Sequence, residues 1–175
     1  MATSMATSFG ARLKRLLRHW RTTAAQGQRM FPPAALDAIG AAINAGEQRH
    51  RSELRFIVEA SMPSDALWAD MCNRQRAVAL FAEYGVWDTE ENCGVLIYVN
   101  LAEHKVDIVA DRNVARKIDQ SQWQAVCDTL TAGFRKGQFE QATLAAIERV
   151  NALLEQHFPA DGARANELPD HPIVL

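Results

Sequence analysis

The sequence has few of the features that announce a chemistry in short motifs. Its 175 residues hold three cysteines, Cys72, Cys93 and Cys127. An odd count without a Cys-x-x-Cys pair argues against a disulfide framework and against a thiolate zinc site. Three reduced thiols are expected, at least two of them in the core. No histidine is close enough in sequence to suggest a base for a nucleophilic cysteine. There is no P-loop, no Rossmann glycine pattern, no Gly-x-Ser-x-Gly and no His-Glu-x-x-His. No run of about 18 apolar residues exists to span a bilayer. Near the N-terminus Lys14, Arg15 and Arg18 interrupt the apolar residues of Leu13–Trp20, which leaves no core for a secretory peptide. The expected location is therefore the cytoplasm. A formal net charge of −2 gives no global attraction to nucleic acid or to anionic membranes, so any basic surface must be local.

What is present is an ordinary globular composition, 48% hydrophobic and 23% charged. The chain is long enough for one domain with a sizeable core. Over residues 9–20, Phe9, Leu13, Leu16, Leu17 and Trp20 recur at helical spacing among Arg12, Lys14, Arg15, Arg18 and His19. This is a basic amphipathic helix. Either its stripe packs on the domain as one more core helix, or it seeks an anionic membrane surface or a partner. Thr22 to Arg29 is polar and reads as a linker.

Pro32-Pro33 opens a helix through Gln48, with Leu36, Ile39, Ile43 and Glu47 on one face. Leu54 to Ala60 reads as a strand whose second side carries Glu53, Arg55 and Glu59, which suggests a sheet edge or an incompletely covered face. Pro63-Ser64 starts a helix with Ala77, Leu80, Phe81 and Tyr84 in a stripe, ended by Gly85. Gly94 to Leu101 is almost continuously apolar, the pattern of a central strand. Lys105 to Asp111 follows too closely for a crossover, so the two should form an antiparallel hairpin. A two-residue turn at Glu103-His104 would place Asn100 opposite Asp107 and Leu96 opposite Asp111. The rest is helical: one helix through Trp123, Val126, Cys127 and Leu130, capped by Asp119 or Ser121, and one through Leu144, Ile147, Val150 and Leu154, ended by Pro159. The apolar end Ile173-Val174-Leu175 is suited to docking on the domain. Trp68, Trp87 and Trp123 occupy apolar positions and are expected in the core rather than as base-stacking platforms, so no nucleic-acid partner is expected. The predicted class is α/β, an α/β/α sandwich with a small mixed sheet, a central antiparallel hairpin and covering helices. The predicted organisation is an N-terminal helix and linker (1–29), an α/β domain (30–160) and a docking tail (161–175).

Two clusters carry candidate chemistry. Asp88, Glu90, Glu91 and Asp111 fall at the ends of the hairpin strands, where with Thr89 and loop carbonyls they could ligate a hard cation. Alternatively, Asp88 and Thr89 cap the loop through side chain–backbone hydrogen bonds. Arg112 beside Asp111 could hold a phosphate or carboxylate, or form a salt bridge. Glu47, His50 and Glu53 are spaced like ligands and include a His–carboxylate pair suited to proton transfer. The other reading is a hydrogen-bond cluster tying helix end to strand.

Phe31-Pro32, Glu47 to Glu53, Val86-Trp87-Asp88-Thr89-Glu90, Gly94-Val95-Leu96-Ile97-Tyr98, Ile108-Val109-Ala110-Asp111-Arg112 and Asn166-Glu167-Leu168-Pro169-Asp170 together resemble the TPM-domain family. The likeness is to its short bacterial branch without signal peptide or membrane span, and it covers roughly residues 30–175. The resemblance implies an α/β/α sandwich. Calcium sites occur in some members, so the resemblance also implies a divalent ion, calcium or magnesium, for which Asp88, Glu90 and Asp111 are the candidate ligands read from the loop. By analogy with the plant branch, it implies a metal-dependent acid phosphatase activity. The sequence departs from the family pattern at Cys93, Asn113 and Gln138, where asparagine, glycine and an acidic residue are expected. A neutral Gln138 is a weaker ligand, which counts against metal binding. The expected role is a non-catalytic binding or accessory module of a larger assembly, with a protein partner and a peripheral membrane contact through residues 9–20. The alternative is a divalent-metal phosphatase of modest activity.

Overall fold

A computed structural model describes residues 2–162 and 166–175, with side chains from Arg12 onward, so Phe9 lies outside the described side chains. The elements in order are α1 (Ala2–Arg21), α2 (Ala24–Met30), α3 (Pro33–Glu47), β1 (Leu54–Glu59), α4 (Ser64–Trp68) and α5 (Asn73–Glu83). They continue with β2 (Val95–Asn100), β3 (Lys105–Ala110), α6 (Arg112–Lys117), α7 (Gln120–Arg135), α8 (Phe139–His157) and β4 (Ile173–Val174). The sheet order is β3-β2-β1-β4, with β1 parallel to both neighbours and β3 antiparallel to β2.

Alternation along β1 and β2 builds two cores, one on each face. Leu54, Phe56, Val58, Val95, Ile97 and Val99 meet Ile39 and Ile43 of α3, Val126 and Leu130 of α7, and Ile147, Val150 and Leu154 of α8. Ile57, Leu96 and Tyr98 turn the other way onto Ala77 and Leu80 of α5 and onto Val86. The architecture is the expected α/β/α sandwich. The C-terminal end docks as expected: Leu175 N donates to Val58 O at 2.8 Å and Ala60 N to Leu175 O at 3.0 Å, which continues β4 along β1.

Several local readings are corrected. The expected linker Thr22–Arg29 holds α2, whose buried Gly27 approaches Leu101, Ala60 and Val174 so closely that a Cβ there would be in van der Waals contact with all three. The helix expected from Ser64 onward is two helices, broken after Trp68 where Asp70 takes a left-handed φ of 55°. Gly85, at φ 63°, ends α5 as expected. β1 is no edge strand, since it is buried along its length. Its polar side is paired internally: Arg76 Nη2 donates to Glu59 Oε1 at 2.7 Å, Tyr98 OH to Glu59 Oε2 at 2.5 Å, and Arg55 Nη1 to His171 O at 3.3 Å. Burial, reinforced by the Glu59 carboxylate, pushes the Tyr98 phenol well above its usual range.

The hairpin register is shifted by two residues from the expected one. Tyr98, not Asn100, faces Asp107, and Asn100 faces Lys105. The turn runs Leu101–His104 and closes with His104 at φ 53°. Histidine tolerates that left-handed conformation better than most residues. Glu103 N donates to Asn100 Oδ1 at 2.9 Å and holds the turn. Because side chains alternate with period two, the slip leaves every face assignment intact. Of the tryptophans only Trp123 is core, at 5% exposure, whereas Trp68 and Trp87 are exposed. Of the cysteines only Cys93 is fully buried; Cys127 is half-buried and Cys72 exposed. Asp119 is the residue that caps α7.

Candidate functional site

The cluster read from Glu47, His50 and Glu53 does assemble. It lies at the amino ends of the parallel strands, around a polar cavity of about 50 Å³ that Asn44, Asn166 and Glu167 also line. Glu47 ends α3 and its Oε1 accepts from Leu54 N at 2.8 Å, which binds helix end to strand start. Its Oε2 is buried without a partner among the described residues. Burial pushes this carboxyl up to about 9, with Glu53 and Asp170 adding to the shift and the Leu54 N–H opposing it. Glu47 therefore carries a proton at neutral pH. Glu53 accepts from Glu167 N at 3.3 Å and Leu168 N at 3.2 Å, so the C-terminal segment hangs on it. Burial raises its carboxyl too, against those two donors. Asp170 accepts from Asn44 Nδ2 at 2.6 Å.

His50 makes its hydrogen bonds to neither glutamate. Its Nδ1 accepts from Ser52 N at 3.3 Å, which leaves the proton on Nε2, 3.2 Å from Asn151 Oδ1. Burial lowers its basicity, so the ring is neutral. Both ring nitrogens are thus committed to fixed partners. The bonds of Glu47, His50 and Glu53 tie α3, β1, α8 and the C-terminal segment together.

The loop region is arranged differently. Thr89 Oγ1 accepts from Cys93 N at 2.9 Å and closes the loop, one half of the capping reading. The Asp88 side chain is exposed, and its backbone N donates to Gly85 O at 2.9 Å. Glu90 is exposed, and its N donates to Glu167 Oε2 at 2.9 Å. Glu91 takes Arg51 Nη1 at 3.0 Å. Asp111 caps α6, its Oδ1 accepting from Arg112 N at 2.6 Å, while Oδ2 is buried without a partner among the described residues. The exposed Arg112 places Nε 4.0 Å from Asp111 Oδ1 and Nη2 3.4 Å from Asn92 Oδ1. A hard cation takes six or more oxygens. Among the described residues no group of three His, Cys, Asp or Glu side chains is placed to hold a metal ion.

The site that sequence reasoning missed is the seat of α1. Arg15 Nε donates to Glu103 Oε1 at 2.5 Å, and Arg15 also reaches Met71 O at 2.5 Å and Asp70 Oδ1 at 3.1 Å. Buried His19 accepts from Met62 N at Nδ1, 3.1 Å, which puts its proton on Nε2 facing Glu103 Oε1 at 3.3 Å. Burial lowers the basicity of His19 against the pull of Glu103. Burial also works against the Glu103 carboxylate, but Lys105, Arg15 and His19 outweigh it and hold the carboxyl down to about 2.

Leu16 is the apolar part of this seat, packing near Met62, Ala66 and Leu67. The docked face is centred about a quarter of a turn from the apolar stripe. Leu13 and Leu17 are consequently half exposed and Trp20 is 82% exposed; Trp68 of α4, which lines a hollow with Arg12 and Leu13, is 70% exposed. Lys14, Arg18 and Arg21 stand next along the helix, around a shallow surface hollow shared with Leu17. The periodicity is a usable signal for the helix, but the polar contacts that decide which way it faces come from residues far along the chain.

A family model described as TPM domain matches residues 25–153. No curated protein matches the chain. Five solved chains match. One is the NMR structure of the BA42 protein from the psychrophilic bacterium Bizionia argentinensis, 23% identical, with 81% of this chain and 92% of that chain covered and a TM-score of 0.71. At that identity the likeness is one of fold.

Proposed function

The chain belongs to the TPM-domain family, and from that premise we propose that it acts as a non-catalytic binding module held at an anionic membrane surface, presenting the domain to a protein partner. One observation carries the proposal: α1 is locked to the domain by its polar side and turns Leu13, Leu17 and Trp20 outward beside Lys14, Arg18 and Arg21. An indole with one wet and one apolar end suits the interface between head groups and acyl chains. Each basic residue near such a surface adds about 1 kcal/mol of attraction to anionic lipid. No described helix is long and apolar enough to cross a membrane, and the contact proposed is that of a helix lying in the interface. The family match covers residues 25–153, and α1 lies outside the matched residues. The non-catalytic part of the reading is supported by His50, Glu53 and Thr89, whose polar atoms are occupied by backbone or side-chain partners.

Vesicle co-sedimentation tests this. The protein should pellet with phosphatidylglycerol-containing vesicles at low salt and remain in the supernatant with phosphatidylcholine alone. Trp20→Ser with Leu17→Ser should abolish pelleting with little change in the thermal midpoint, because Trp20 is almost wholly in water and Leu17 is half exposed. Equal pelleting by this double variant, or none by the parent protein, would overturn the membrane reading.

A further inference from the structure

We propose that the cavity beneath the β2–β3 turn is a binding site for a medium-chain aliphatic carboxylate, independent of the outer face of α1. The cavity measures about 360 Å³. That is within the size range usual for small-molecule pockets. It opens where Leu101 leaves β2, at the carboxyl end of the parallel pair. Open α/β sheets take their ligands at that end.

Its walls and mouth differ in character. Leu101 is buried, and Val106, Phe134 and Phe139 are half-buried, which makes the interior apolar. The Phe134 and Phe139 rings lie 5.2 Å apart, and they sit 6.0 Å and 5.9 Å from the Phe31 ring, so this wall is braced by the core. Such tilted and edge-on ring contacts hold their geometry beyond simple area burial. The polar side chains of the lining residues are already satisfied: Asn100 stands on the Tyr98 side of the sheet, accepting from Glu103 N and donating to Tyr98 OH, and the Thr131 hydroxyl donates to Cys127 O. Nothing inside demands a polar ligand, whereas an alkyl chain would gain in proportion to the apolar area it removes from water. The mouth carries the exposed His104, Lys105 and Arg135, and among the described residues no carboxylate lines the cavity. Lys105 Nζ is shared with Glu103 Oε2 at 3.0 Å. Arg135 has no hydrogen bond or ion pair among the described residues. An apolar chamber with a cationic mouth selects an apolar tail ending in an anion, and Arg135 is the group free to hold the head.

The test uses the full-length protein labelled with ¹⁵N, titrated with decanoate below its micelle concentration, and with decyltrimethylammonium as a cation of equal tail length. Decanoate should shift the amides of Leu101–Val106 and Thr131–Phe139 saturably, and the cation should not. Arg135→Glu, on an exposed side chain, should weaken decanoate about tenfold while leaving the rest of the spectrum in place. Val106→Trp should remove binding by filling the chamber. Equal binding of the cation, an unchanged affinity in Arg135→Glu, or shifts confined to Leu13–Trp20 would each overturn the assignment.

Discussion

Arg15 Nε meets Glu103 Oε1 at 2.5 Å, joining the first helix to the turn after the central strand across 88 residues of sequence. Both side chains are largely out of water, at 16% and 5% exposure. Removing the carboxylate would leave the guanidinium and the His19 N–H facing a neutral amide. Glu103→Gln is therefore expected to cost about 2–3 kcal/mol of α1 docking. Hydrogen exchange measures it: amides of residues 12–21 should lose protection while those of Val95–Asn100 keep theirs. Retained protection in α1 would show that Leu16 and the remaining Arg15 bonds suffice.

Ile97 is fully buried and sits between Phe56 on β1 and Ile108 on β3. A carboxylate there has no partner and costs several kcal/mol or more, against roughly 5–15 kcal/mol of total stability. Ile97→Asp should not yield a soluble folded protein. Ile97→Val removes one methyl group and should lower stability by about 0.5–1.5 kcal/mol in urea unfolding. An unchanged midpoint in both would contradict the sheet.

What can be read from the sequence divides by range. β2 is legible because both its faces are buried, which leaves an unbroken apolar run. Glu47, His50 and Glu53 can be grouped because they are neighbours in the chain as well as in space. β1 misleads because Arg55 and Glu59 read as solvent-facing until their distant partners are known: Glu59 is met by Arg76 and Tyr98, and Arg55 by the His171 carbonyl. The hairpin register slips because turn length is a local backbone choice that the strand pattern constrains only to within two residues. The facing of α1 depends on Glu103, which no periodicity in residues 9–20 encodes.

The loop carboxylates allow a test of metal chemistry. Asp88 and Glu90 are exposed, while Asp111 is spent on capping α6. Millimolar calcium or magnesium should leave the thermal midpoint unchanged, and turnover of a generic phosphomonoester should be negligible. Asp111→Asn should cost no more than about 1 kcal/mol, because asparagine caps nearly as well as aspartate. A metal-dependent rise in midpoint, with phosphatase turnover lost in both Asp88→Asn and Asp111→Asn, would instead establish the loop as a cation-assisted hydrolytic site.

Glu47 gives the fold a pH dependence that a single substitution should remove. The folded protein holds the Glu47 proton up to about pH 9, whereas the unfolded chain releases it near 4.5. Between those values the native state binds more protons than the unfolded state, so stability falls as pH rises. The contribution is fully present below about 4.5 and is lost by about 9. Glu47→Gln keeps an oxygen for the Leu54 N–H and cannot ionise. At pH 5 the variant should match the parent. At pH 8.5 it should melt higher, by about 2–4 °C for each kcal/mol relieved in a chain of this size. Glu53 shifts in the same direction, so some slope should remain in the variant. Parallel melting curves for the two proteins from pH 5 to pH 9 would mean that Glu47 ionises freely and that the pocket is wetter than its burial implies.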